Sequence, residues 1–290
     1  MKVRVKFQKY GAMKFIGHLD VMRYFQKAFR RAGLDSEYTK GYNPHQIMSF
    51  AAPLGVGLTS DAEYVDIGLN SSDEPEVMIK RINEVMSEGF YVTGFHILSE
   101  PEVNEKAVTA MSLVSSADYL VSLKDGYSLW DMGDDVDGTV TRDRFREAFE
   151  SFYSKQDITI LKKTKKSETE VNIRPMISMA CFDEAEYNKN LIENAMLLTG
   201  PDNKEGSNRN EGSCLIEAAS RAEVYENNTK VYLRLDTGSA SNLKPELVME
   251  AFCIENGIQY NPYAWQVHRL EIYTRDEESN RLISLDRLDK

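Results

Sequence analysis

The apolar residues of the first hundred positions change their spacing repeatedly, and this alternation is the strongest constraint on the fold. Residues 3–7 alternate apolar and polar side chains, which is typical of a strand with one buried face. From Gly17 to Ala32 the apolar residues recur three or four positions apart, as on a helix, and Gly33 is a typical helix end. The same criteria predict three more strands and a second helix, at residues 47–50, 64–69 and 90–98 and at residues 75–86.

The same order of elements returns after residue 115. Strands are predicted at residues 119–123, 158–161, 171–181, 231–235 and 267–273, and helices at residues 142–154 and 245–256. Strand, helix, strand, strand, helix, strand is the order of a ferredoxin-like unit, in which two helices cover one face of an antiparallel sheet. We therefore expect an α+β protein of two tandem ferredoxin-like (βαββαβ) units, with one domain at residues 1–105 and a second at residues 115–290.

One segment of the second domain departs from this scheme. Residues 183–228 contain a long polar run, from Pro201 to Gly212, in which no apolar period is visible. Such a composition buries too little apolar surface to offset the entropy of ordering the chain. We therefore expect residues 183–228 to form a long, flexible polar insertion.

Charge is distributed very unevenly along the chain. Residues 1–50 contain ten lysines and arginines against three acids, whereas the remaining 240 residues contain 25 against 43. The whole chain is acidic, with a formal net charge of −11, but binding depends on the local field and not on the total. A basic segment on an acidic body therefore remains compatible with nucleic-acid binding, and equally with a solvated basic face that has no partner.

Several classes of site are excluded by their missing motifs. Three cysteines without CxxC spacing form neither a disulfide framework nor a thiolate zinc site, and no HExxH helix is present. Phosphate loops, GxGxxG turns and GxSxG elbows are also absent from the sequence. No apolar run reaches the ~18–20 residues of a bilayer span. We expect a cytoplasmic, soluble, reduced protein with no cofactor, no metal and no membrane contact.

The predicted helix at residues 17–32 has a basic side. Arg23, Lys27, Arg30 and Arg31 are spaced so that they share one face, opposite the apolar stripe of Leu19, Met22 and Phe29. A row of cations on successive turns can follow a phosphate backbone and release its counterions. We expect further lysines to add to this surface, namely Lys2, Lys6, Lys9, Lys14 and Lys40. The alternative is an ordinary surface helix whose charges are solvated.

The segment between Tyr38 and Phe50 is the least ordinary stretch of the chain. Gly41 permits a positive φ angle, and Asn43 with the following proline sets a turn. Lys40, Tyr42, Asn43 and His45 are therefore expected on a loop, where tyrosines can stack on bases and the cations can approach phosphate or a 2′-hydroxyl. The alternative is a turn whose aromatic side chains pack on the edge of the sheet.

Two histidines near this surface are candidates for chemistry. His18 or His45 could act as a general acid or base, because imidazole titrates near neutral pH. If the loop folds over the helix, His18, Asp20, His45, Glu63 and Asp66 also offer nitrogen and oxygen ligands, but nothing in their spacing requires a metal. The sequence therefore supports chemistry by this chain alone only weakly.

Several motifs in order resemble one bacterial family. They are KFIGHLDVMR at 14–23, FRRAGL at 29–34, KGYNPH at 40–45, SFAAPLGVG at 49–57 and EYVD at 63–66, with weaker matches at 171–175 and 243–247. Together they are similar to the radical SAM-linked (radical SAM-associated) proteins, a family of unknown function encoded beside, or fused to, a radical SAM protein that often binds cobalamin. The resemblance implies such a protein as partner. The CxxxCxxC cluster motif is absent here, so the resemblance does not imply that this chain carries the cluster.

These observations lead to one main functional expectation and two alternatives. The first is a non-catalytic accessory protein of a radical SAM enzyme that binds RNA or a ribosomal component. Its contacts would be Arg23, Lys27, Arg30, Arg31 and Lys40 on phosphates, with Tyr42, Asn43 and His45 reading the site. The alternatives are a metal-independent ribonuclease or other RNA-processing enzyme that uses His18 or His45, and a protein–protein adaptor whose basic helix docks an acidic partner.

Overall fold

A computed structural model describes residues 1–99, 108–130, 139–163, 168–196, 212–276 and 281–288. The described residues form a mixed α/β protein with a large, mostly antiparallel sheet and six α-helices. The strands are β1 (Lys2–Lys9), β2 (Met48–Phe50), β3 (Thr59–Gly68), β4 (Phe90–Leu98), β5 (Ser116–Leu123), β6 (Thr159–Lys163), β7 (Glu168–Asn172), β8 (Ile177–Cys181), β9 (Ala195–Met196), β10 (Ser213–Leu215), β11 (Lys230–Asp236), β12 (Trp265–Arg275) and β13 (Leu282–Ser284). The helices are α1 (His18–Arg31), α2 (Pro75–Asn83), α3 (Ala110–Leu113), α4 (Thr139–Tyr153), α5 (Glu184–Asn194) and α6 (Pro245–Glu255).

The first half of the chain forms four neighbouring strands covered by two helices. The strand order is β4-β1-β3-β2, and every neighbouring pair is antiparallel. Val3, Val5 and Phe7 of β1 are on one face by the period of two and pack with the buried side chains of α1 and α2. Arg4, Lys6 and Gln8 alternate with them and therefore belong to the opposite face, which we call the polar face.

The second half repeats this order and continues the same sheet. Its strands lie in the order β12-β5-β11-β8, again antiparallel, and the phenylalanines of α4 and α6 pack on the apolar face of β5 and β11. The two halves meet where β12 pairs in parallel with the start of β3, through His268 with Thr59 and Arg269 with Ser60. One continuous sheet therefore spans both halves of the chain.

Part of the predicted polar insertion is regular structure. Residues 183–228 include α5, β9 and β10, whereas residues 197–211, with most of the polar run, lie outside the described residues. Within this segment, residues 212–227 run across the polar face, and we call them the strap. The strap begins by pairing β10 with the edge strand β4, and it reaches the second half of the chain where the backbone N–H of Asn227 donates to Asp125 Oδ1 at 3.2 Å. The described end of the expected polar insertion therefore packs on the sheet.

Other sequence expectations differ from the structure in detail. α4 begins at Thr139 and not at residue 142, and Thr159–Lys163 pairs with Glu168–Asn172 in a separate two-stranded sheet, β6 with β7. Leu19 is 61% exposed, so it is not part of the buried stripe of α1, which consists of Val21, Phe25, Ala28 and Phe29. The predicted domain boundary at residue 105 lies outside the described residues. In the described part of the chain, no helix combines the length and the apolar character needed to cross a bilayer.

Candidate nucleic-acid interface

Helix α1 presents its cations on the side that faces away from the sheet. Four residues of α1 are buried against β1 and β3, and the opposite side exposes Arg23, Lys27, Arg30 and Arg31, which we call the basic stripe. Arg23 Nη1 lies 3.2 Å from Asp20 Oδ1, in an ion pair in which both side chains are about two-thirds exposed. Such an exposed pair contributes little to stability, so Arg23 is held only weakly.

The remaining cations of the basic stripe are almost free of partners. Arg31 Nη2 donates to the carbonyl oxygen of Val85 at 3.0 Å, which leaves its charge uncompensated. Lys27 and Arg30 contact no acidic group among the described residues. At least three positive charges of α1 are therefore available to a ligand on this side of the helix.

The loop predicted to carry Lys40 and His45 is a hairpin formed by residues 36–47. Backbone hydrogen bonds join Thr39 to His45 at 2.9 Å and Ile47 to Glu37 at 3.0 Å. The tip exposes Lys40, Tyr42, Asn43 and His45, and Gly41 has a φ of +129°, which favours glycine. Tyr42 is fully exposed, so the alternative in which its ring packs on the sheet edge is wrong for this residue.

The hairpin follows α1 directly in the chain. Gly33, with a φ of +67°, ends the helix, and Leu34 leads into the hairpin. The structure thus brings the four helix cations onto one stripe and the four loop residues onto one tip. It shows no direct contact between the two groups among the described residues.

The other lysines of the first fifty residues do not all join this surface. Lys6 Nζ lies 2.7 Å from both Glu271 Oε2 and Asp286 Oδ2 on the polar face. Burial opposes its charge, but the two carboxylates outweigh burial and raise the pKa of Lys6. Lys14 Nζ lies 2.6 Å from Glu223 Oε1. Two of the ten cations counted in residues 1–50 are therefore neutralised by acids from the second half of the chain.

Lys9 is the third lysine that lies elsewhere. It is 2% exposed and donates to the carbonyl oxygen of Ile16 at 3.2 Å. Burial lowers its pKa, and the nearby Glu63 only partly opposes that effect. The expected contribution of Lys6, Lys9 and Lys14 to the basic surface of α1 is thus not found.

His18 occupies the first position of α1, beside this buried lysine. Its ring packs edge-on against Phe50 with centroids 5.2 Å apart. Burial, with the positive charge of Lys9 as a second cause, lowers the pKa of His18. The imidazole is therefore biased towards its neutral form, in which one ring nitrogen can accept a proton.

The residues considered as metal ligands are not brought together. Asp20 pairs with Arg23, Glu63 with Arg269 at 2.9 Å, and Asp66 with Arg4 at 2.8 Å. His45 lies in the hairpin, where its Nδ1 is 3.1 Å from Thr39 Oγ1. Across the described ranges, no group of three or more histidine, cysteine or acidic side chains is arranged to hold a metal ion.

Sequence reasoning missed the charged network inside the sheet. Three ion pairs are almost fully buried and join different strands: Arg4 with Asp66, Arg234 with Asp118, and Arg269 with Glu63. The available signal was the presence of charged residues in the middle of otherwise apolar strands, since such residues are rarely buried without a partner.

Apolar side chains are exposed at the start of α1. Phe15 is 67% exposed, and Leu19 and Val56 are each 61% exposed. The backbone N–H of Gly57 donates to the carbonyl oxygen of Lys14 at 2.7 Å, which holds the loop of Val56 against the turn that precedes α1. We call these three side chains the apolar patch. It adjoins the N-terminal end of the basic stripe.

A cleft of about 340 Å³ lies on the polar face, on the other side of the sheet from the basic stripe. Its walls are the strap at Leu215–Ser220 and the C-terminal segment at Ser284–Arg287, and Lys6 and Gln8 contribute to its lining. A second hollow of about 310 Å³ lies farther along the strap and is lined by three tyrosines, Tyr187, Tyr225 and Tyr232. The sequence alone indicated neither site.

Comparison with known proteins gives one match. The model of a family described as "Uncharacterized protein conserved in bacteria (DUF2344)" matches residues 2–209, which is more than two thirds of the chain. This range includes α1, the hairpin and the apolar patch. No curated protein matches the chain.

Proposed function

The chain belongs to this uncharacterized bacterial family, DUF2344, and from that premise we propose that it is a non-catalytic, cytoplasmic accessory protein that binds RNA or a ribosomal component through α1. The observation that carries the proposal is the basic stripe. Lys27 and Arg30 are exposed without an acidic partner among the described residues. Cations in this state can exchange small counterions for phosphates, which is the main source of affinity in such complexes.

The hairpin supplies the second element of the proposed interface. Lys40 would add a phosphate contact, whereas Tyr42 would stack on an unpaired base and Asn43 or His45 would contact its edge. A fully exposed tyrosine favours this role, because a ring without protein contacts keeps both faces free for stacking. RNA loops and bulges offer such unstacked bases, whereas a regular RNA duplex does not.

We further propose that the chain acts beside a radical SAM protein and presents RNA to it. This part of the proposal depends on the motifs that resemble the radical SAM-linked family and on the dense occurrence of those motifs around α1. It also depends on the absence of a CxxxCxxC motif from this chain, which would make a separate partner necessary for radical chemistry.

The fold that we infer for this role is a tandem pair of ferredoxin-like units. The orders β4-β1-β3-β2 and β12-β5-β11-β8 support this inference, since each corresponds to the 4-1-3-2 order of a βαββαβ unit with an antiparallel sheet. In this arrangement α1 belongs to the first unit, and its outer side is not covered by the second unit.

The test is RNA binding by the purified full-length chain at several salt concentrations. Labelled tRNA and ribosomal RNA fragments are titrated, and the slope of log K against log [salt] is measured. Each phosphate contact contributes about −0.7 to −0.9 to this slope. The variant Lys27→Glu, Arg30→Glu, Arg31→Glu is expected to bind at least tenfold more weakly and to show a shallower slope.

A matched variant separates the position of the charge from its amount. Lys80→Glu, Lys189→Glu and Lys244→Glu change the net charge equally, at exposed lysines outside α1, and we expect them to keep near wild-type affinity. An equal loss of RNA affinity in both variants would mean that the net charge, and not the position of the cations on α1, determines binding. Absence of binding by the wild-type chain would end the RNA proposal for the isolated protein.

The apolar patch favours one second candidate, a protein–protein adaptor. Exposed Phe15 and Leu19 beside a row of cations suit an acidic partner with an apolar centre. In a pull-down with the radical SAM protein, Phe15→Ser with Leu19→Ser would abolish capture if the adaptor role is correct. The same variant would leave RNA binding unchanged if the basic stripe alone holds RNA.

The same RNA assay also tests the enzymatic alternative. If His18 or His45 acts as an acid or base, His18→Ala or His45→Ala would keep RNA binding and lose turnover. If the wild-type chain does not turn over RNA, the enzymatic alternative is wrong, and His18 and His45 can contribute only to binding.

A further inference from the structure

The cleft on the polar face has the size of a small-molecule site. Its volume of about 340 Å³ falls near the lower end of the roughly 300–1,000 Å³ that is usual for ligand pockets. The lining combines apolar side chains of the strap and β12 with polar and charged ones, which include Lys6, Gln8, Asp61, Thr93, Glu271 and Arg287. The cleft is on the opposite side of the sheet from α1, so a ligand here would be independent of the proposed RNA surface.

The carboxylates of the cleft already have donors. Glu271 and Asp286 both accept from Lys6 Nζ at 2.7 Å. Asp61 accepts from Gln8 Nε2 at 3.1 Å, from the backbone N–H of Arg221 at 2.7 Å and from the Ser220 hydroxyl. These acids therefore connect β1 and the strap to neighbouring segments, and they have little acceptor capacity left for a ligand.

The groups of the cleft that form no hydrogen bond are donors, although Asp286 and Glu271 attract the charge of Arg287. Arg287 is half-buried and forms no hydrogen bond or ion pair with a described residue, and its Nη2 atom is buried. Thr93 is 5% exposed, and its hydroxyl is buried with no partner. A buried guanidinium or hydroxyl without a partner is unfavourable. A ligand that supplies acceptor atoms would remove this penalty.

We propose that the cleft binds a small molecule through an oxyanion, either a carboxylate or a phosphate, which accepts hydrogen bonds from the Arg287 guanidinium and the Thr93 hydroxyl. The planar fork of arginine matches both groups bidentately. The lining holds two cations, Lys6 and Arg287, against three carboxylates, Glu271, Asp286 and Asp61, so the anion depends on direct hydrogen bonds from Arg287 and Thr93 and not on a positive net charge. Lys6 also has three N–H donors, of which the two carboxylates occupy two.

Titration of the full-length chain with simple oxyanions tests the proposal. Inorganic phosphate and citrate are the two probes, and sodium chloride of equal ionic strength is the reference. The readout is the NMR signal of the Arg287 side-chain Nε–H, which is assigned by its absence in Arg287→Gln. We expect a saturable shift of this signal with at least one probe, and the preferred probe shows whether the site takes phosphate or carboxylate.

Two variants and one control make the result specific. The affinity of each variant for the oxyanion is measured from the backbone amide shifts around the cleft. We expect binding to be at least tenfold weaker in Arg287→Gln and about threefold weaker in Thr93→Val, which keeps the shape of the side chain. Arg30→Gln removes a cation of the basic stripe and is expected to bind as the wild type does. If Arg287→Gln fails to fold by circular dichroism, the backbone amide shifts of Thr93→Val, compared with those of the wild type, still decide the question.

Three outcomes would overturn the proposal. The first is a linear, unsaturated shift with both probes, which indicates only general ionic effects. The second is equal affinity in the wild type and Arg287→Gln. The third is an equal loss in Arg30→Gln, which would move the anion to the helix surface.

Discussion

Lys6 connects the N-terminal strand with the C-terminal segment. Its ammonium lies between Glu271 and Asp286, and its side chain is only 15% exposed. Although burial opposes ionisation, the lysine lowers the pKa of Asp286 to about 2. Removing one partner of a buried pair leaves charge without compensation, which costs more than the pair itself contributes.

We therefore predict that Lys6→Met lowers the free energy of unfolding by about 3 kcal/mol. Chemical denaturation at neutral pH measures the change. Lys80→Met is the matched control, because Lys80 is exposed on α2 and has no acidic partner among the described residues. A loss below about 0.5 kcal/mol in Lys6→Met, the size usual for a surface substitution, would contradict the assigned network.

The lowered pKa of His18 gives a second prediction, on pH dependence. The unfolded chain takes up a proton near pH 6.5, whereas burial and the nearby Lys9 delay protonation of the folded chain to lower pH. Between these two values unfolding binds a proton, so the His18 contribution to stability falls as the pH decreases below about 6.5.

We expect His18→Asn to lose less stability than the wild type between pH 7.5 and pH 5.5, measured by urea denaturation at both values. Leu19→Asn is a suitable control, since it alters the adjacent exposed position without removing a titratable group. Parallel profiles for the wild type and His18→Asn would show that the imidazole is protonated equally in both states.

At the scale of elements, Asp61 anchors the middle of the strap. Asp61 accepts from the backbone N–H of Arg221, from the Ser220 hydroxyl and from Gln8, and its Oδ2 lies 2.9 Å from His268 Nε2. Without this acceptor, the strap keeps its edge pairing at β10, the ion pair of Glu223 with Lys14 and the backbone hydrogen bonds to Asp125, but residues 220–221 lose their hold on β3. The strap should then detach locally from the sheet more easily, while the sheet itself remains intact.

We predict that Asp61→Ala increases tryptic cleavage after Arg221 at least tenfold. Limited proteolysis followed by mass spectrometry measures the rate at that bond. Asp35→Ala removes a comparable cluster of side-chain contacts, to Asn70 and Ser71, far from the strap. Equal cleavage in Asp35→Ala and Asp61→Ala would mean that the strap is not held by Asp61.

Elements with a strong apolar period could be predicted from the sequence. The spacing from Gly17 to Ala32 located α1 to within one residue at each end, and the spacing of its arginines and lysines placed four cations on one exposed side. α5 could not be predicted in this way. Only Tyr187 is buried among its eleven residues, so a polar helix resembled a polar loop until its tertiary contacts were known.

The charged surface could be predicted only in part, for a related reason. Lys14 and Glu223 are 209 positions apart, and Lys6 and Glu271 are 265 apart. No local pattern connects such residues. The count of cations in the first fifty residues was therefore informative for α1, where the helix fixes the neighbours, and misleading for β1, where distant strands supply them.

At the scale of the whole molecule, the two halves are joined by one sheet and by buried charge. Arg269 Nη1 lies 2.9 Å from Glu63 Oε1 across the junction of β12 with β3, and both side chains are nearly buried. Separation of the two halves would leave Arg269 and Glu63 without their ion pair. The interface is thus unlike the polar, loosely packed contact between independently moving domains.

We predict a single cooperative thermal transition for the full chain, with equal calorimetric and van't Hoff enthalpies. Arg269→Met leaves Glu63 buried without its cation and is expected to lower the midpoint of the whole transition. Two resolved transitions in the wild type, or a variant in which only part of the heat absorption moves, would show that the halves unfold separately.

The pairing of β1 with the C-terminal segment also has a consequence for synthesis on the ribosome. Arg4 donates to the carbonyl oxygen of Leu285, and Lys6 pairs with Asp286, 280 positions later. At about 5–20 residues per second, these partners emerge on the order of tens of seconds after β1. During that interval Arg4 can already pair with Asp66, whereas Lys6 lacks both of its carboxylates. The first strand therefore completes its contacts only after the segment around Asp286 has left the ribosome.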